Sequence, residues 1–137
     1  MSVAIHLSFD GDCAEAFAHY AKVLGGQITF TMPYGQSPMA AQMPAAEHDR
    51  LMHASMEIDG FRLMGADATS GHPYAGSQGF AVSVDYPTPE KAHEVFAALS
   101  EGGTTIMPMG PTFWAKAFGM TKDRFGVTWM VGCEQPA

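Results

Sequence analysis

Cysteine is scarce: the 137 residues contain two, Cys13 and Cys133. Two thiols so far apart frame neither a disulfide scaffold nor a zinc knuckle, so a reducing, cytoplasmic setting is expected. Basic residues are also few. Seven Lys and Arg stand against 14 Asp and Glu, and the resulting net charge of −7 repels phosphate backbones and anionic lipid alike. Neither nucleic acid nor a membrane is an expected partner. No apolar run approaches the roughly 20 residues of a membrane helix, and the N-terminus lacks the basic start and apolar stretch of a signal peptide. What is present is 47% hydrophobic and 15% charged residue content, which fits one globular domain burying roughly two-thirds of the surface its unfolded chain exposes. Methionine is in excess, at 11 residues. Flexible thioethers suit the walls of a cavity as well as a core.

Val3, Ile5, Leu7 and Phe9 alternate with Ala4, His6 and Ser8, which predicts a strand over residues 2–9. Asp12 and Glu15 form a capping-box pattern. Cys13, Phe17, Tyr20, Ala21 and Leu24 then recur at helical spacing until Gly25-Gly26. Residues 27–32 read as a second strand, and a loop from Pro33 to about Arg50 is long enough to be functional or mobile. Residues 52–58 and 61–66 flank Asp59-Gly60, a strong hairpin signal. The order then starts again. Residues 79–85 alternate as the first strand does, Thr88-Pro89-Glu90 opens a helix with a stripe of Ala92, Val95, Phe96 and Leu99, and Gly102-Gly103 ends it. Residues 104–107, 114–121 and 127–133 are the remaining predicted strands. The chain thus reads as two copies of strand, helix, strand, strand, strand, spanning about 1–68 and 78–135 of a single α+β domain. One helix covers only one face of a four-stranded sheet, so two such sheets side by side are expected to curve into a cup.

In this order the sequence resembles the vicinal oxygen chelate superfamily of glyoxalases, bleomycin-resistance proteins and extradiol dioxygenases, and within it the PhnB-like branch. The resemblance rests on Leu7-Ser8-Phe9-Asp10-Gly11-Asp12-Cys13 leading into Ala16-Phe17-Ala18-His19-Tyr20 and Leu24-Gly25-Gly26. It rests further on His53-Ala54, Leu63-Met64-Gly65-Ala66-Asp67, Thr112-Phe113-Trp114-Ala115, Asp123-Arg124-Phe125-Gly126-Val127 and Trp129-Met130. It implies two βαβββ modules forming a curved mixed sheet, and a homodimer. In metal-using members it also implies a divalent ion held by His, Gln or Glu from the first and last strands of each module, which chelates vicinal substrate oxygens. Matched residue by residue, those positions fall near His6, on Met64, near Gly79 and on Met130. Thioethers and glycine are poor ligands for such ions, so no metal cofactor is expected. PhnB-like proteins have carried a demethylubiquinone methyltransferase label; no glycine-rich nucleoside-binding turn supports it here.

With Ile58 and Phe61 placed on the helix side of the hairpin, Glu57 faces Arg62, Ser55 faces Met64 and His53 faces Ala66 on the other side. His53, Ser55 and Met64 are then joined on the cup face by His6 and Ser8 from the first strand, Ser83 from the fifth and Met130 from the eighth, with Trp114 and Phe118 at the rim. Such a methionine-lined pocket with hydroxyls and imidazoles suits a small, largely apolar molecule. Plainer roles are open to the same residues: Met64 and Met130 as core fillers, His53 as a backbone hydrogen-bonding partner, Asp67 as a turn cap, Cys13 as a buried small hydrophobe. Three functions therefore compete. The first is metal-independent binding of a small molecule. The second is a divalent-metal lyase or dioxygenase using a rearranged site of His6, His53 and Glu57. The third is a non-catalytic assembly module.

Overall fold

Leu7 and Phe9 alternate with His6 and Ser8 in the first strand, and the consequence is one buried and one open face: Leu7 and Phe9 are buried, His6 and Ser8 exposed. The computed structural model describes residues 1–134. The chain divides into two compact units, Met1–Gly76 and the residues from Ser77 on. The predicted end of the second module at residue 135 lies outside the described residues.

The first unit contains β1 (Ile5–Phe9), α1 (Cys13–Leu24), β2 (Gln27–Pro33), β3 (Leu51–Ile58) and β4 (Phe61–Asp67). Its sheet has the order β1-β4-β3-β2, with β1 parallel to β4 and the other pairs antiparallel. The second unit repeats the pattern with β5 (Val82–Tyr86), α2 (Pro89–Ser100), β6 (Thr104–Gly110), β7 (Ala115–Lys122) and β8 (Thr128–Glu134), in the order β5-β8-β7-β6. The strand–helix–strand–strand–strand repeat is therefore present twice, as two mixed four-stranded sheets in an α+β chain. No helix is long and apolar enough to cross a membrane among the described residues.

Each helix packs its apolar stripe on one sheet face. Cys13, Ala16, Phe17 and Tyr20 are buried in α1, and Ala92, Val95, Phe96 and Leu99 in α2. Opposite them lie Leu7, Phe9, Met56 and Leu63 in the first unit and Ala117, Trp129, Val131 and Cys133 in the second, all nearly inaccessible. Burying each large side chain of this kind contributes about 1.5–3 kcal/mol. Thr88 caps α2 by accepting the N–H of Lys91 at 3.2 Å, with Pro89 at the first helical position as expected.

Several local expectations are corrected. The first strand begins at Ile5, not residue 2, because its parallel ladder on β4 starts at Ile5–Leu63 and Val3, 81% exposed, has no strand to bury it. The fifth begins at Val82; Gly79 precedes it in a left-handed conformation with φ 82°. β6 runs past its predicted end at residue 107 to Gly110, so Met109 also belongs to a strand. Phe61 is 78% exposed, and the sheet contact beside α1 is made by Leu63 and Met56 instead. The 33–50 loop holds three single-turn 3₁₀ helices, Tyr34–Gln36, Ala40–Gln42 and Ala45–Glu47. Finally, the Asp12 side chain makes no capping bond. The carboxylate that accepts the N–H groups of Gly11 and Cys13, both at 2.9 Å, is that of Asp67.

Candidate functional site

Strand alternation that buries one face of each sheet under its helix leaves a second face whose residues can be read from the register. In the first unit, His6 lies opposite Met64, Met64 opposite Ser55, and Ser55 opposite Phe30, a row running across all four strands. A second row has Ser8 opposite Ala66 and His53 opposite Met32. The expected pairings of Glu57 with Arg62 and Ser55 with Met64 are present. Although β4 separates β1 from β3, the rings of His6 and His53 come to 6.4 Å between centroids with 25° between their planes. The Phe30 ring is 5.9 Å from that of His53. Partial burial, and secondarily the neighbouring His53, lowers the pKa of His6, which favours the neutral imidazole.

The second unit has a matching face. Ser83, Met130, Met120 and Met107 form one row, and Asp85, Gly132, Phe118 and Gly110 the next. The Trp114 ring stands 5.4 Å from Phe118, and Phe113 4.8 Å from Trp114. Trp114 is 48% exposed. His6, Ser8, His53, Ser55 and Met64 are thus grouped on one sheet, and Ser83, Trp114, Phe118 and Met130 on the other. Ser83, rather than Gly79, stands beside Met130 as His6 stands beside Met64.

These donors do not fit the divalent ion of the metal-using relatives. Such an ion needs imidazole and carboxylate ligands from the strands that here offer Met64 and Met130. Glu57 sits beside Arg62 toward the hairpin end of β3, and among the described residues no three of His, Cys, Asp and Glu are grouped to hold a metal. Cys13 is buried at the start of α1, and burial, then the nearby Asp67 and Asp12, push its thiol up to about 12, which disfavours the thiolate.

Sequence reasoning missed a group of concavities around residues 66–76. One of about 280 Å³ is lined by Ser8, Ala66, His72, Pro73 and Tyr74, so it begins at the candidate face. A second of about 350 Å³ lies between Asp10, Glu47, Arg50, Ser70 and Tyr74, and a third of about 320 Å³ between Tyr34, Met39, Met43 and His72. Their walls are held by specific bonds. Arg50 donates to Asp10 at 3.2 Å and to the Ala68 carbonyl at 2.8 Å, the Ser70 N–H donates to Glu47, and His48 Nε2 lies 2.9 Å from the Ala40 carbonyl. Burial, then Asp67 and Glu47, raise the pKa of Tyr34. The length of the 33–50 loop signalled a functional segment; nothing in the sequence showed that the stretch after β4 would pack against it.

A doubled βαβββ unit with an open, ligand-poor sheet face defines the class: the chain belongs to the glyoxalase/bleomycin resistance protein/dioxygenase superfamily, whose family model matches residues 4–131. It is similar to Protein YjdN of Escherichia coli K12, at 32% identity over 96% of this chain and 94% of that protein. Among solved structures it is similar to protein PA1353 of Pseudomonas aeruginosa, with 44% identity, a TM-score of 0.87, and coverage of 98% of this chain and 100% of the other. It also shares its fold with a PhnB protein of Bacillus cereus described as a putative 3-demethylubiquinone-9 3-methyltransferase, at 23% identity and a TM-score of 0.83, covering 97% and 99% of the two chains.

Proposed function

We propose that this protein is a PhnB-like member that binds a small, largely apolar molecule without a divalent metal ion. One observation carries the reading: Met64 and Met130 occupy equivalent places on the two open sheet faces, each opposite the first strand of its own unit. Thioethers there offer a soft, adaptable contact surface and no anionic ligand. His6, Ser8, His53 and Ser55 supply imidazoles and hydroxyls that orient polar atoms of the ligand, and on the second unit Ser83 supplies a hydroxyl while Phe118 and Trp114 supply aromatic surface. Ile28, Phe30 and Ile106, exposed on strands β2 and β6, support a homodimer as the working form, and the scarcity of cysteine supports a cytoplasmic one.

A thermal-shift screen against apolar and aromatic metabolites tests the reading. A ligand at a hundred times its dissociation constant stabilises the chain by about 2.7 kcal/mol. That gain is expected to vanish in Met64→Asp or Met130→Asp. Recovery of about one tightly bound divalent ion per chain from protein purified without chelators overturns it.

A further inference from the structure

We infer that the ligand of the small-molecule reading, on which this inference rests, is an organic cation: an apolar molecule carrying an ammonium nitrogen, held on the second unit between the Asp85 carboxylate and the rings of Phe118 and Trp114. Asp85 on β5 lies opposite Gly132 on β8, and Gly132 lies opposite Phe118 on β7. Glycine leaves the middle of this row bare. A Cβ at Gly132 would stand 2.7 Å from Asp85 Oδ1 and 3.7 Å from Phe118 Cδ2, so the carboxylate and the ring border one hollow in the open face. Gly110, opposite Phe118 on its other side, leaves open space as well. The equivalent places in the first unit hold Ser8 and Ala66, so the carboxylate beside bare backbone is a feature of the second unit's row and not of the repeat.

Charge and aromatic surface together select the ligand. Among the described residues no ion pair or hydrogen bond engages the Asp85 side chain, which is exposed. The Trp114 and Phe118 ring centres are 5.4 Å apart with 64° between their planes, so each ring keeps a face that the other does not cover. Phe113, 95% exposed and 4.8 Å from Trp114, extends the aromatic surface. A positive nitrogen within about 6 Å of such a ring is attracted by its quadrupole, and a carboxylate beside the ring adds the attraction of opposite charges. Other ligands fit less well. Asp85 repels an anion, and a neutral apolar molecule in the hollow strips water from the carboxylate and gives it no partner. A metal ion needs several ligands, and among the described residues no three of His, Cys, Asp and Glu are grouped to hold one. Met130 and Met120, half-buried in the neighbouring row, supply an adaptable wall for the apolar body.

The intact protein is titrated with three probes of one shape and different charge: benzyltrimethylammonium, its uncharged carbon isostere neopentylbenzene, and the anion phenylmethanesulfonate. Binding is followed by NMR of the methionine methyl groups and by quenching of tryptophan fluorescence. The cation is expected to bind about tenfold more tightly than the neutral isostere, with shifts at the Met130 and Met120 methyls, and the anion more weakly than either. Asp85→Asn, which preserves side-chain volume, is expected to abolish the preference for the cation while leaving affinity for neopentylbenzene unchanged. Gly132→Ala is expected to weaken all binding by filling the hollow, and Asp49→Asn, a surface carboxylate of the first unit, to change nothing. The methionine spectra of each unliganded variant separate a lost site from a failure to fold. A cation preference retained in Asp85→Asn, an equal loss in Asp49→Asn, or shifts confined to Met64 each overturn the assignment. Neopentylbenzene binding as tightly as the cation overturns it and leaves the small-molecule reading intact, whereas a screen in which no compound of any charge binds removes both.

Discussion

The Asp67 carboxylate accepts the backbone N–H of Cys13 at 2.9 Å, joining the last residue of β4 to the first of α1. The same side chain accepts from Gly11 at 2.9 Å and from Leu51 at 2.8 Å, so one buried carboxylate ties together the starts of α1 and β3 and the end of β4. Asp67→Ala leaves three N–H groups without this partner. It is expected to cost about 3 kcal/mol by chemical denaturation, with Asp67→Asn losing less because one acceptor oxygen remains. A loss under about 1 kcal/mol in Asp67→Ala contradicts this role.

Cys13 gives a pH prediction. Folding raises its thiol from 9.0 to about 12, so between those values the folded chain holds a proton that the unfolded chain releases. Stability from this group is therefore present below pH 9 and lost as pH rises through 9 toward 12. Tyr34, also shifted upward, adds a slope of the same sign, so the measurement is the difference between wild type and Cys13→Ala. In a Cys133→Ser background the native chain is expected to resist iodoacetamide at pH 8 and to react on unfolding. Rapid alkylation of the folded chain would show a lowered thiol pKa instead.

Gly65 has no room for a side chain. A Cβ there would stand 2.7 Å from Phe17 Cε1 and 3.1 Å from Phe9 Cε2, where α1 meets the sheet. Gly65→Ala is expected to destabilise by about 1–3 kcal/mol through overpacking. Gly60 is the contrasting case, with open space around it but φ at 81°. Gly60→Ala costs about 1 kcal/mol from the backbone alone. Urea midpoints of the two variants check the order.

Methionines on opposite faces of one sheet should behave differently. Met56 is fully buried under α1, whereas Met64 is half-buried on the open face. Met56→Ala is expected to cost about 2–5 kcal/mol by leaving a cavity, and Met64→Ala about 1 kcal/mol. Equal losses would make Met64 a core filler and weaken its place in a binding surface.

The sequence made the repeat legible because its signals were local. Gly25-Gly26 and Gly102-Gly103 end helices, Asp59-Gly60 turns a hairpin with Asp59 at φ 48° and Gly60 at φ 81°, and alternation sorts each strand into two faces. The register of Ser55 with Met64 followed from that turn. The helix start at Cys13 is legible in the sequence and its cap is not, because Asp12 satisfies the local pattern while the bond from Cys13 goes to Asp67, 54 residues away. Phe61 misleads for a related reason: it lies on the inward period yet is 78% exposed beside the turn.

Alternation and turn chemistry, which depend on near neighbours alone, determined the two βαβββ units, their buried stripes and the soft residues on their open faces. The meeting of His6 with His53, the reach of Asp67 and the hollows around His72 and Tyr74 were decided only by the tertiary structure. Each depends on which strand lies between which, and on how far a side chain reaches across it. Those distances are set by the parallel closure of β1 on β4, a pairing between segments far apart in the chain that no local pattern encodes.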